Sequence, residues 1–234
     1  MFFTIPEAAI SSKLPDVSSY IAFFDLDRTI SRAVSGNELA LSAYKEKLLP
    51  LSGIIHALWM LAGYKLSLRD PQQLIYIMTM WVKGIPEQTL NTLSAGIVND
   101  KIIPGVYPKA LDEIKRHSLN NAMTVILSSS PLSVCRLVAQ SIGIDDVICS
   151  RLEVENGNLT GRSVGPLCFG NEKAVRLREY CENNNTDPQD CWYYGDAFAD
   201  FPALSAVGHP VCVNPEKELL RKAREQRWKI CYWD

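Results

Sequence analysis

The apolar run Ile21-Ala22-Phe23-Phe24 ends on Asp25-Leu26-Asp27-Arg28-Thr29, and this junction constrains the chain more than any other part of it. Four consecutive apolar residues bounded by polar ones read as a strand buried on both faces. Two carboxylates, two residues apart, then leave the strand end with their side chains on the same side. A pair of acids there is costly unless a cation or a reaction holds it. The pair admits metal ligation, a nucleophile with an acid/base partner, or a mixture of the two. A plain strand-end turn, where Asp is common, would use the same residues.

Two later apolar runs end in a similar way. Val125-Ile126-Leu127 leads into Ser128-Ser129-Ser130, and Cys191-Trp192-Tyr193-Tyr194 leads into Gly195-Asp196. Ligands of open α/β sheets bind at the carboxyl ends of the strands, so Asp25, Ser128 and Asp196 are expected to converge on one rim. A hydroxyl with adjacent backbone N–H groups suits a phosphate, although the serines could equally cap the helix after Pro131. Lys173 opens another helix, against the macrodipole preference, and so is expected to face a phosphate or the nucleophile carboxylate. A solvated surface lysine is the alternative. Asp196 can ligate a hard cation while Asp200, four residues on, orients it, and Gly195 would let the backbone pass close. Asp25, Asp196, a backbone carbonyl and a phosphate make an oxygen donor set of the kind Mg²⁺ takes.

From Asn37 to about Asp100 the pattern is helical throughout. One helix starts at Asn37, a second covers 51–64, a third opens at Asp70-Pro71, and a fourth covers 87–98. After Pro104-Gly105, helices and strands alternate. Helices are expected at 108–117, 133–142, 172–183 and 202–206, with a charged closing helix at 216–226. Strands are expected at 124–127, 147–149 and 191–194, with a last core strand at 211–213. Asn156-Gly157 signals a hairpin. The expectation is an α/β fold: a Rossmann-like, doubly wound, mostly parallel sheet built from 1–35 and 101–234, with an inserted all-helical cap over 36–100.

The 234 residues are 47% hydrophobic and 21% charged, enough for one large domain or a core with a smaller companion. A formal net charge of −2 supplies no basic field for nucleic acid. Seven cysteines without CxxC spacing or Cys/His clustering argue against zinc and against a disulfide framework, and suit a reducing cytoplasm. Met1-Phe2-Phe3-Thr4-Ile5-Pro6-Glu7 lacks the cationic start and long apolar region of a signal peptide. Residues 48–63, including Leu58, Trp59, Met60 and Leu61, carry no formal charge apart from what His56 can acquire. The stretch is shorter than the roughly 20 residues of a membrane span, which favours a buried helix. Contact of this cap segment with a membrane or a lipid-like substrate is the alternative.

Taken together and in this order, the four elements resemble the haloacid dehalogenase (HAD) superfamily of phosphohydrolases. Its motifs match at DLDRT (Asp25, Asp27, Thr29), VILSSSP (Ser128), Lys173 and GDAFAD (Asp196, Asp200). The helical insert between the first two is similar to the cap of the phosphoserine phosphatase-like subfamily IB. The stretches from Arg151 to Gly157 and from Gly208 to Pro215 are similar to subfamily IB hydrolases as well. The resemblance implies Asp25 as nucleophile and Asp27 as general acid/base and carbonyl ligand. It implies Ser128, Ser129 and Lys173 as phosphate binders, and Asp25, Asp27 and Asp196 around Mg²⁺, with Asp200, Thr29 and Gly195 in support. The implied activity is Mg²⁺-dependent hydrolysis of a small-molecule phosphomonoester through an aspartyl-phosphate on Asp25, with the cap setting specificity. Phosphotransfer through the same intermediate and phosphoserine phosphatase proper are the alternatives. Phosphoserine phosphatases usually show DxDST followed shortly by a glutamate that reads the substrate amine. Here Arg28 replaces the small residue, 31–36 contains no acid, and Glu38 comes late. A substrate other than phosphoserine is therefore expected.

Overall fold

The computed structural model describes residues 20–49 and 79–234. The helix expected over 51–64, the start of the one expected from Asp70, and nearly all of the apolar segment 48–63 lie outside the described residues.

One sheet contains β1 (Ile21–Phe24), β2 (Met123–Pro131), β3 (Asp146–Ser150), β6 (Trp192–Gly195), β7 (His209–Val213) and β8 (Lys229–Cys231). The hairpin strands β4 (Leu152–Glu155) and β5 (Asn158–Ser163) stand apart from it. The sheet order is β3-β2-β1-β6-β7-β8, and every neighbouring pair is parallel. β1 takes a central place because all four of its residues are buried and none needs a solvated face. The chain runs outward from β1 through β2 to β3, then returns to β6 on the other side of β1. That reversal opens the crevice of a doubly wound sheet at the carboxyl ends of β1 and β6.

The pleat of β1 divides the interior in two. Ala22 and Phe24 enter one core, while Ile21 and Phe23 enter the other. The first core receives α1 (Ser35–Lys45) through Leu39 and Ala43, and α2 (Glu87–Ile97) through Leu90, Leu93 and Ile97. It also receives α3 (Pro108–Leu119) through Ala110 and Ile114, and α4 (Leu132–Ile142) through Val134 and Val138. The second core receives α5 (Asn171–Asn183) through Ala174, Leu177 and Cys181. Leu204 of the short α6 (Phe201–Leu204) and Leu219 of α7 (Lys217–Gln226) complete it. Among the described residues of 36–100 the regular elements are helical, and α2 continues into a π-helical turn, Val98–Ile102. Ser94 Oγ lies 2.8 Å from Ser133 Oγ, tying α2 to α4.

Three local expectations change. The strand at 211–213 is not the last in the sheet, since β8 pairs beyond it in the register Val211↔Lys229 to Val213↔Cys231. A three-residue edge strand that begins on an exposed lysine is too short to show alternation. The strand expected to stop at Leu127 runs on through the serines to Pro131. Those serines do not cap α4, whose N-cap is Pro131 with no side-chain hydrogen bond. The hairpin turn has Asn156 at φ 50 and Gly157 at φ 79, the left-handed pair that a tight turn between right-twisted strands requires. It is pinned to the entry of α2 by Gly84 N–H donating to Leu159 O and Leu159 N–H donating to Ile85 O. All seven cysteines are free thiols. Among the described residues, no helix is long and apolar enough to cross a membrane.

Candidate active site

The ladder between β1 and β6 continues one residue past Phe24, where Asp25 N–H donates to Tyr194 O at 2.9 Å. Alternation then turns the Asp25 side chain to the face of Ile21 and Phe23, on which α5 packs. The first turn of α5 delivers Lys173 to that spot. Its Nζ lies 2.6 Å from Asp25 Oδ1 and 2.6 Å from Asp200 Oδ1. The lysine is only 3% exposed, so its charge is committed to this pair and is not solvated. Tyr193 OH donates to Asp200 Oδ1 at 2.8 Å and accepts from Lys173 Nζ at 3.1 Å. Asp200 Oδ2 accepts from Ala197 N–H at 3.2 Å. Gly195 makes room for this arrangement: a methyl group there would lie 2.9 Å from Cβ, Cγ and Oδ2 of Asp200.

Asp25, Asp196 and Asp200 are all buried, and each offers one carboxylate oxygen within 4.8 Å of the others. One ammonium cannot neutralise three carboxylates. Burial, opposed by Lys173 and reinforced by Asp200 and Asp27, pushes the Asp25 carboxyl up to about 7. Burial, with the repulsion of Asp25 and Asp200, pushes Asp196 up to about 9. Burial opposes the Lys173 charge, yet Asp200 and Asp25 outweigh it and hold the ammonium well above its ordinary range. A cluster of hard oxygen donors with excess negative charge fits a small divalent cation. Asp25 and Asp196 are the carboxylates best placed for it, because both Asp200 oxygens already accept hydrogen bonds.

The other expected phosphate binders, Ser128 and Ser129, lie on β2, and the expected acid/base, Asp27, lies two residues past Asp25. The carboxylate of Asp27 is gripped by one residue: Ser35 N–H donates to Oδ1 and Ser35 Oγ–H donates to Oδ2, both at 2.9 Å. Burial raises the Asp27 carboxyl, and these two bonds work against that rise. Ser128 and Ser130 are buried, whereas Ser129 between them is half-buried. Ser130 Oγ lies 2.6 Å from Ser35 Oγ and accepts from Ser128 Oγ at 3.2 Å. Thr29 is fully buried and its hydroxyl has no hydrogen-bond partner. Arg28 is exposed and adopts φ 60, a strained backbone for a non-glycine residue beside the cluster.

Sequence reasoning passed over Ser35 and Tyr193, and read Ser130 only as part of the serine run after Leu127. Tyr193 carried a faint signal, since it alternates onto the face of its register partner Phe23 and stands three residues before Asp196. Ser35 carried none, because its contact to Asp27 arises only when the chain turns back between them.

The family profile of haloacid dehalogenase-like hydrolases matches residues 22–205, which include every residue of the cluster. The chain belongs to this family. This hydrolase is 28% identical over 212 residues to a Mycobacterium tuberculosis protein named probable phosphatase, an alignment covering 89% of this chain and 74% of the relative. Among solved structures it resembles a Bordetella pertussis protein of unknown function, with a TM-score of 0.82 and 22% identity over 92% of this chain and 98% of the other. It also resembles a substrate-bound phosphoserine phosphatase, with a TM-score of 0.69 and 17% identity over 92% of each chain. At these identities the two structures establish the fold alone. An α/β core of the haloacid dehalogenase type is thus the frame in which the buried acids sit.

Proposed function

We propose that this hydrolase cleaves small-molecule phosphomonoesters through an aspartyl-phosphate on Asp25. The observation that carries this reading is Lys173 seated between Asp25 and Asp200 at the end of β1, with Asp196 beside them. The relative named as a phosphatase supports the substrate class. Lys173 engages Asp25 Oδ1, and among the described residues none donates to Oδ2, so Oδ2 is the better attacking atom. Attack forms an Asp25 O–P bond while the ester P–O bond breaks, and the departing alkoxide takes a proton from Asp27. Water then attacks phosphorus, giving its proton to Asp27, and the acyl phosphate breaks to release phosphate and the Asp25 carboxylate. Burial favours the protonated Asp27 that the first step uses. Ser128, Ser129 and Lys173 would hold the phosphoryl oxygens, and Asp200 with Tyr193 would fix Lys173 in place. Mg²⁺ held by Asp25, Asp196 and the Asp27 carbonyl would offset the repulsion between carboxylate and phosphate.

Specificity is assigned to the cap over 36–100. The segment 31–36 offers no acid to pair with a substrate amine, and Glu38 is half-buried one turn into α1. This favours esters other than phosphoserine. A cytoplasmic location suits the seven free thiols.

The test is phosphate release from a panel of esters, with and without Mg²⁺. The panel includes an aryl phosphate, phosphoserine, sugar phosphates, phosphocholine and lysophosphatidic acid. Release is expected to need Mg²⁺ and to vanish in Asp25→Asn with its circular dichroism unchanged. Turnover that survives in Asp25→Asn would remove the covalent mechanism.

A further inference from the structure

The two carboxylate oxygens of Asp27 are held by a single residue, and that residue begins a helix. Val34, in extended backbone, is the N-cap of α1 and supplies no side-chain cap. The first N–H groups of a helix lack intrahelical acceptors. Ser35, the first residue of α1, gives its N–H to Asp27 Oδ1 and its hydroxyl proton to Asp27 Oδ2. A carboxylate bonded through both oxygens to one residue is fixed in plane and in rotation, not merely in distance. The macrodipole of α1 adds to this, since its positive end meets a negative group.

The grip is itself supported. Ser35 is 1% exposed, and its Oγ lies 2.6 Å from Ser130 Oγ, which is 4% exposed. A serine hydroxyl has one proton and two acceptor sites. With the Ser35 proton given to Asp27, the Ser130 proton must go to Ser35, and Ser130 is left as acceptor for Ser128 at 3.2 Å. An ordered run of hydroxyls therefore links the carboxyl end of β2 to the side chain of Asp27. It spans 95 residues of sequence between Ser35 and Ser130, and with Asp27 ionised it turns the Ser35 hydroxyl towards Asp27 Oδ2.

We infer that Ser35, backed by Ser130, is the positioning residue that aims the Asp27 carboxyl at the leaving-group oxygen. The inference rests on the aspartyl-phosphate reading above and adds to it the residue that makes Asp27 an effective acid. The aim of the acid then depends on how α1 docks on the core through Leu39 and Ala43.

A positioning role has a signature that a structural role lacks. Expulsion of an alkoxide needs a proton at the right place, whereas a nitrophenolate leaves without one. Ser35→Ala keeps the backbone bond to Asp27 Oδ1 and loses the one to Oδ2. We expect it to lower kcat/KM for an alkyl phosphate by at least about tenfold, a fraction of the 10²–10⁴ that general acid catalysis supplies. The kcat/KM for 4-nitrophenyl phosphate should change by less than about threefold, since it reports only the steps up to loss of a leaving group that needs little acid assistance and not the later water attack that also uses Asp27. Ser35→Thr, which keeps a hydroxyl, should recover most of the alkyl rate. Thermal melts of both variants show whether α1 still docks. Equal losses on the two esters, or no loss on either, overturn the role of Ser35 and leave the nucleophile reading intact. Absence of Mg²⁺-dependent release from both esters in the wild type overturns the nucleophile reading, and this inference with it.

Discussion

The space left by a missing side chain is as informative here as the side chains themselves. Asp200 can reach Lys173, Tyr193 and the Ala197 amide only because position 195 has no Cβ. Gly195→Ala would force a methyl group to within 2.9 Å of three Asp200 atoms. The neighbour is a packed carboxylate and not a free chain end, so we expect a loss of about 1–3 kcal/mol from overpacking. Displacing Asp200 also frees Lys173 from one of its two carboxylates. Turnover should therefore fall more than stability alone explains, which kcat measured well below the melting temperature would show. A variant with unchanged kcat would mean that Asp200 does not hold Lys173 for the reaction. The acids and the lysine were legible in the sequence because each follows an apolar run or opens a helix, where burial makes charge conspicuous. The roles of Ser35, Ser130 and Tyr193 were not, since serine and tyrosine are unremarkable in sequence and acquire meaning only from partners far along the chain.

Helix α3 shows how an element can carry a charge-sensitive contact away from the rim. His117, near its end, is completely buried against β1 and β6. Its Nδ1 lies 3.0 Å from Tyr20 OH, and its Nε2 lies 2.8 Å from Tyr194 OH and 3.1 Å from Arg116 Nη2. Burial, with the Arg116 cation beside it, holds the imidazole down to about 4, below its ordinary 6.5. The unfolded chain therefore takes up this proton first, and the His117 contribution to stability is lost as pH falls from 6.5 towards 4. The full effect is at most about 3 kcal/mol. Urea midpoints of wild type and His117→Gln should differ at pH 7 and draw together by pH 4.5. A gap that stays constant would show that His117 is not neutral in the fold. The amphipathic spacing of α3 was plain in the sequence, as were the boundaries of α4 and α5 to within a residue or two. The edge strand β8 escaped because three residues carry no period, and the run of β2 through its serines escaped because serine interrupts an apolar pattern without ending a strand.

At the scale of the molecule, the alternation of helices and strands was enough to indicate a parallel doubly wound sheet. The placement of β6 against β1 came only from the structure, because strand order is not written in any local pattern. That placement is what brings acids from distant segments into one crevice, and it sets the response of the whole fold to metal and pH. The Asp25 and Asp196 carboxyls are raised to about 7 and about 9 from an ordinary 3.8. The folded protein thus keeps protons that the unfolded chain has released, and the ion-free fold loses stability as pH rises from about 4 towards 9. A divalent cation needs those oxygens ionised, so its binding displaces protons and tightens as pH rises. Since the unfolded chain has no such site, Mg²⁺ should raise Tm, by an amount equivalent to about 2.7 kcal/mol at a hundredfold excess over Kd. We expect the rise to be larger at pH 8 than at pH 6. Asp196→Asn should lose the rise altogether while melting above the wild type in the absence of metal at pH 8, because the variant no longer has to take up on folding a proton that the unfolded chain has released. Calorimetry of both proteins at the two pH values decides the matter. Equal Mg²⁺ increments at pH 6 and pH 8, or an increment that survives in Asp196→Asn, would place the cation elsewhere than among these carboxylates.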